Sequence, residues 1–424
     1  MGVTTDMQVA DCNAAPRPLS GLRVLDLTMA LAGPYCTLML GGMGAEVIKV
    51  ESRRGGDLAR SNPPFAGEEG FHFGPMREED ISVSILARAR NKKSITLDLK
   101  SDRGRELFMK LVETADVLVE NMSDGTAERL GVGYQAVRKI NPKLIYASIA
   151  GLGDANPFPN LKAMDIIVQA YSGVMDVTGQ ANGPPVRFGL PIADLLAPLY
   201  ALNGILAALI QRGVTGSGQN IKVSMLDCLA SLLAVEHFDV LKRFGFPART
   251  GNHMNRLAPF GLFETRDGYV AIAATADEWV RSLFEAMGQD EHKSDPRFAS
   301  RGARALNADA VNGLIESWTR GMTSEQVVEE LLTKRGVPCV RVRSVYEVLD
   351  DPLLRASGAL QPLLHPRFGP IDAVGMGMPI KFSAAVAAFD QPAPELGAHN
   401  QEIYGALLGL SAADLTDLTT QGVI

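Results

Sequence analysis

Leu22-Arg-Val-Leu-Asp-Leu-Thr28, Gly33-Pro34 and Ala45-Glu-Val-Ile-Lys-Val50 together form the stretch that decides the fold. The first segment is short and apolar on both faces, the pattern of a strand buried within a sheet. Pro34 suits the first turn of a helix that runs through about Leu40. Gly41-Gly-Met-Gly44 ends that helix, and residues 45–50 read as the next strand. Working outward, Ser94–Leu99 reads as a third strand and Ser101 as the cap of a helix over about 103–114. Residues 115–120 and 144–149 are two further strands, with short helices near 124–140 between them. Strand and helix alternating in this way predict an open, mostly parallel, Rossmann-like α/β domain with helices on both faces.

The polar, alanine-rich residues 1–17 read as a flexible arm, and the large domain is placed at 18–237. Within it, 195–212 and 223–237 read as apolar helices joined by a polar, glycine-rich turn. From 238 the texture changes. A strand at Tyr269–Ala273, helices at about 276–287 and 323–335 and a short strand at Val340–Val342 suggest a smaller α+β domain over 238–345. The Pro- and Gly-rich segment 346–424 is expected to return to the large domain and to carry a last helix at about 399–408.

Several function classes are disfavoured by composition. A net charge of -7 argues against nucleic acid as a partner. The start lacks the basic and apolar regions of a signal peptide, and the apolar run Leu195–Ile210 is interrupted by Pro198 and Asn203. Both observations point to a cytoplasmic enzyme without a membrane partner. The cysteines Cys12, Cys36, Cys228 and Cys339 form no CxxC pair, and the histidines show no metal-binding spacing, so no metal is expected. The glycine clusters lack the strand, glycines, helix order of a dinucleotide fingerprint, and neither a P-loop nor a GxSxG elbow is present. Two basic groups, Arg53, Arg54 and Arg60, and Arg88, Arg90, Lys92 and Lys93, suit either a phosphate ligand or a solvated loop.

Asp194 is the only charged residue between Arg187 and Arg212 and opens a long apolar run. It either caps the helix that follows or acts as a nucleophile, held ionised by the helix terminus.

An ordered set of motifs bears on that choice. The set comprises Gly21–Thr28 with Ala32-Gly-Pro34, Leu40–Glu51 with Gly56-Asp57, Asn91–Lys100, Asp116–Asn121, Glu128–Gly131, Asp194, Gly216-Ser-Gly-Gln219, Leu396–His399 and Gly422–Ile424. In these the chain resembles, from about residue 18 to 424, the family III CoA-transferases (CaiB/BaiF family), the group of formyl-CoA transferase and the carnitine CoA-transferases. The resemblance implies an interlocked, ring-like homodimer. It also implies transfer of CoA from an acyl-CoA to a small carboxylic acid through an aspartyl-CoA thioester on Asp194, with CoA as a substrate and no tightly bound cofactor. By position it assigns Arg53, Leu97, Asn121, Met122, Arg129 and Leu130 to CoA; Leu31 and Tyr35, in an expected apolar pocket, and His253, Asn255 and Arg256, where the family's run of glycines is not evident, are the candidates for the acyl substrate. The related α-methylacyl-CoA racemases carry a catalytic histidine where this chain has Met164, which cannot move a proton. Racemase chemistry with another base, or CoA binding without catalysis, are the alternatives. Leu31 and Ala150 replace polar residues of formyl-CoA transferase, which argues against oxalate as the acceptor.

Overall fold

The computed structural model describes residues 16–153, 156–158, 161–254 and 256–424. The chain divides into two compact units. The first holds residues up to Val168, Pro191–Leu229 and Asp351–Ile424, and the second holds Gln169–Leu190 and Ala230–Asp350.

The first unit is built on six parallel strands: β1 (Arg23–Asp26), β2 (Glu46–Glu51), β3 (Lys92–Thr96), β4 (Val117–Glu120), β5 (Ile145–Ala150) and β6 (Asn220–Ser224). Their order across the sheet is 3-2-1-4-5-6. This is a Rossmann-type order, and its direction reverses between β1 and β4. At such a reversal the loops leaving neighbouring strands diverge and open a crevice beyond their carboxyl ends.

Helices α1 (Ala32–Gly42), α2 (Val83–Arg88), α3 (Asp102–Glu113), α4 (Asp165–Ser172), α5 (Ile192–Thr215) and α6 (Met225–Val235) follow in chain order. The start of α1 passes so close to the loop after β1 that a Cβ on Gly33 would lie 2.3 Å from Thr28 Cβ. Helix α3 begins as read, with Ser101 Oγ accepting from Gly104 N–H at 3.0 Å. It buries Leu107, Phe108, Leu111 and Val112 against Leu25, Ile48, Ile95 and Leu118 of the sheet.

Three features depart from the sequence reading. Strand β3 starts two residues earlier than Ser94, because Lys92 and Lys93 pair in register with Val47 and Ile48. Its charges are tolerated because Lys92 is buried on Asp26. Strand β6 occupies Asn220–Ser224, where a turn and the start of a helix were expected. Asn220-Ile-Lys-Val-Ser224 alternates polar and apolar residues, the period of a strand, but only over five residues between a polar turn and an apolar helix, and pairing with β5 fixes it. The apolar run belongs to a 24-residue helix, α5, which by length and composition alone is long enough to cross a membrane. In the first unit it packs on α1, β5 and β6.

The second unit carries an antiparallel sheet of β7 (Phe260–Thr265), β8 (Gly268–Ala273) and β9 (Cys339–Arg341), with β8 central. Phe263, Val270, Ile272, Val280, Leu283, Phe284, Val311 and Ile315 form its core.

Candidate active site

Strand β1 delivers the chain into the loop Leu27–Leu31, and buried charges set that loop. Lys49 on β2 donates to the Thr28 carbonyl at 2.8 Å and pairs with Asp57 at 2.9 Å. Asp57 Oδ1 accepts the N–H of Ala30 at 2.9 Å. Ala30 adopts φ 67°, a left-handed conformation uncommon for an alanine, so these long-range bonds hold a strained residue in place. On the other side of the crevice, Asn121 at the end of β4 exchanges two hydrogen bonds with the backbone of Met29, each 2.9 Å. The reversal between β1 and β4 is therefore bridged by side chain to backbone bonds.

Above it lies a cavity of about 200 Å³. Its walls come from Leu31 and Ala32, from Asn121 and Met122, from Ile149 and Leu152 after β5, and from Met164, Met225 and Asp194. Ser123, Asp124 and Asn156 complete a wall that is part apolar and part polar, and the Asp194 carboxylate lies on it.

Asp194 is not the cap of α5. Pro191 is the N-cap residue and Asp194 the third residue of the helix, with no side-chain cap bond of its own. The capping carboxylate comes from Asp165, at the start of α4. Its Oδ1 accepts the N–H of Ala193 at 2.9 Å and that of Asp194 at 3.5 Å. Among the described residues, no donor lies within hydrogen-bonding distance of the Asp194 carboxylate, which leaves it available for chemistry. Pro198 has no N–H for the carbonyl of Asp194, so the helix is also loosened there.

The expectation that the helix terminus keeps Asp194 ionised needs correction. Burial, and then the nearby Asp165 charge, push its carboxyl up to about 6, against a smaller opposing pull from Arg88. It is still mostly ionised at pH 7. Competing nucleophiles are weaker: burial pushes Cys36 and Cys339 up to about 12 and Cys228 to about 11.

Leu31, Asn121 and Met122 line the Asp194 cavity, and Tyr35 is half-buried one turn into α1, its N–H donated to Leu31. Leu97 is packed in the core with its N–H donated to the Glu51 carbonyl, and Leu130 packs partly against the same cluster. Arg53 and Arg129 are exposed, and neither pairs with a carboxylate among the described residues. Arg53 lies against Gly422, and Arg129 donates to Thr126 Oγ1 at 2.7 Å.

His253 and Arg256 line a separate, largely apolar cavity of about 730 Å³ in the second unit. There His253 Nδ1 is buried without a hydrogen-bond partner, while Arg256 pairs with Glu236 at 3.2 Å. Asn255 lies outside the described residues. Among the described residues, no group of three or more His, Cys, Asp and Glu is arranged to hold a metal.

The two basic groups are mostly consumed inside the fold. Arg60 is buried on Glu51 at 2.7 Å, Lys92 on Asp26 at 3.0 Å, and Lys93 bridges Glu46 and Glu402 at 2.6 Å each. Arg90 donates to the Met376 carbonyl at 2.9 Å and lies over the Phe389 ring. Neither a phosphate site nor a solvated loop describes these side chains. Asp165 is the residue beside Asp194 that sequence reasoning missed, and Arg88 was legible only as one of a basic group. Asp165 directly follows Met164, and that adjacency was the available signal for it.

Comparison with known proteins follows the same lines. The family described as CoA-transferase family III matches residues 19–400. A succinyl-CoA:mesaconate CoA-transferase of Haloarcula hispanica is 38% identical over 390 residues, covering 91% of this chain and 95% of its own. A succinyl-CoA–D-citramalate CoA-transferase of Chloroflexus aurantiacus is 35% identical over 410 residues, covering 96% and 98%. Among solved structures, a CAIB/BAIF family protein from Brucella suis superposes with a TM-score of 0.77 at 35% identity, covering 92% of this chain and 100% of that one.

Proposed function

The chain belongs to CoA-transferase family III, and from that premise we propose that Asp194 carries CoA between an acyl-CoA donor and an acceptor carboxylic acid. The observation that carries this reading is a carboxylate on a partly apolar cavity, released from capping duty by Asp165 and without a hydrogen-bond donor among the described residues. Asp194 attacks the donor thioester carbonyl, and the CoA thiolate leaves as a mixed anhydride forms. The thiolate then attacks the aspartyl carbonyl and displaces the donor acid, leaving an aspartyl-CoA thioester. The acceptor carboxylate attacks that thioester, and the same two steps in reverse return CoA on the acceptor and free Asp194. No net proton is transferred and no cofactor is consumed. The apolar part of the wall limits hydrolysis of the anhydride.

Met164, two-thirds exposed in the same cavity, offers no second base, so the geometry supports transfer over racemisation. Arg53 and Arg129 are assigned to the CoA phosphates, and Asn121, Met122 and the segment around Leu97 and Leu130 to the body of CoA. Leu31 and Tyr35 are assigned to the acyl group, and His253, Asn255 and Arg256 to substrate choice. The named relatives support succinyl-CoA as the first donor to test. On the same reading the protein works in the cytoplasm as an interlocked homodimer.

Mass spectrometry of the protein mixed with succinyl-CoA and pooled carboxylic acids is the test. CoA appears on a second acid, and hydroxylamine traps the intermediate at Asp194. The Asp194→Asn variant loses roughly 10³-fold or more in kcat. Full transfer by that variant excludes the nucleophile assignment.

A further inference from the structure

Arg88, the last residue of α2, is the member of its basic group that the fold does not consume. It is half-buried, and Nη1 donates to the carbonyl of Ala30 at 3.1 Å. Ala30 is itself fixed by Asp57 and lines the cavity that holds Asp194. The guanidinium is thus tied to a residue of the cavity wall without itself lining the cavity. Among the described residues, it makes that one hydrogen bond and no ion pair within 4 Å, whereas Arg90, Lys92 and Lys93 are each engaged by named partners. A guanidinium has five N–H donors in a planar fork; the protein takes one hydrogen bond from Arg88, and the remaining donors are open and free to take a ligand. Its charge reaches Asp194, the reacting group.

We propose that Arg88 anchors a second carboxylate at the far end of the acyl group, so that this chain selects dicarboxylate acyl groups over monocarboxylate ones of equal length. The inference rests on the transfer chemistry assigned to Asp194. A distal carboxylate entering a cavity lined by Asp194 and Asp124 is repelled and partly desolvated. A fork-shaped cation tied to Ala30 of the wall offsets both effects through a bidentate, charge-assisted pair. A monocarboxylate acyl group leaves Arg88 unpaired, which makes the discrimination steep.

The test uses succinyl-CoA and butyryl-CoA, which have the same carbon count and differ in the distal carboxylate. In single turnover without an acceptor, the rate of CoA attachment to Asp194 is measured for the wild type, Arg88→Gln and Arg88→Lys, with thermal denaturation confirming that each is folded. The wild type prefers succinyl-CoA. The preference falls about tenfold or more in Arg88→Gln and part of the way in Arg88→Lys, which keeps the charge but loses the fork. An unchanged preference, an equal loss on both donors, or a wild type that prefers butyryl-CoA overturns the anchor. Calorimetric binding of the two donors to Asp194→Asn, with and without Arg88→Gln, requires no turnover. If neither donor labels Asp194, the nucleophile assignment fails, while the binding comparison still decides the role of Arg88.

Discussion

Asp194 shows how a single carboxylate can be read from its neighbours. Burial and the Asp165 charge raise its pKa from 3.8 to about 6. Between about pH 4 and 6 the folded state therefore holds a proton that the unfolded state has released, and stability falls as pH rises through that window. Asp194→Asn is neutral at every pH. It should melt at a higher temperature than the wild type at pH 8, with the difference shrinking at pH 4, as a fluorimetric melt at both values would show. The rate of CoA attachment should fall below about pH 6 as the nucleophile is protonated. Asp165→Asn keeps a capping oxygen but removes the charge, so it should move that acid limb to lower pH. An unmoved limb would mean that burial alone sets the value. Asp194 itself was legible in the sequence because it is charged within an apolar run. Its freedom from capping was not, since the cap comes from a residue 28 positions before Ala193.

At the level of elements, the site depends on where α5 and α1 begin. The amides that open a helix need acceptors, and here Asp165 reaches across from α4 to supply one. Asp165→Ala should cost about 1 kcal/mol of stability, measured by urea denaturation, and should also lower the rate of CoA attachment by leaving the first turn untethered. Gly33 is constrained in a different way. A methyl group there meets Thr28 at 2.3 Å, so Gly33→Ala should displace the loop that carries Ala30 and Leu31 and cost about 1–3 kcal/mol. A normal melting temperature for that variant would show that the loop yields easily. Helices α1 and α3 and strands β1, β2, β4 and β5 were visible as periodic apolar segments. Strand β6 was not, because its polar–apolar alternation covers only five residues directly ahead of an apolar helix, and pairing with β5 decides it.

Across the first unit, the sheet is stitched by buried charge. Asp26 on β1, Lys92 on β3 and Lys49 on β2 are almost fully buried. Burial acts to raise the Asp26 pKa, but Lys49, Lys92 and the Thr28 and Thr37 hydroxyls outweigh it and hold the carboxyl well below the usual range. Lys92→Met removes one of those partners and should destabilise the protein by about 3–5 kcal/mol, read from the denaturation midpoint. A loss below about 1 kcal/mol would show that Lys49 suffices. For the assembly, light scattering should return twice the 45.4 kDa chain mass if the homodimer proposal holds, and the chain mass itself would reject it. The sequence by itself determined the alternation of strand and helix, the aspartate at the head of an apolar helix and the family, because each is written in local periodicity or ordered motifs. The tertiary structure decided that Asp165 caps α5, that Arg90 and Lys92 are buried while Lys93 bridges Glu46 and Glu402, and that Arg88 is tied to Ala30 beside the site. Those outcomes depend on pairings between residues far apart in the chain, and periodicity carries no information about which distant partner a charge will meet.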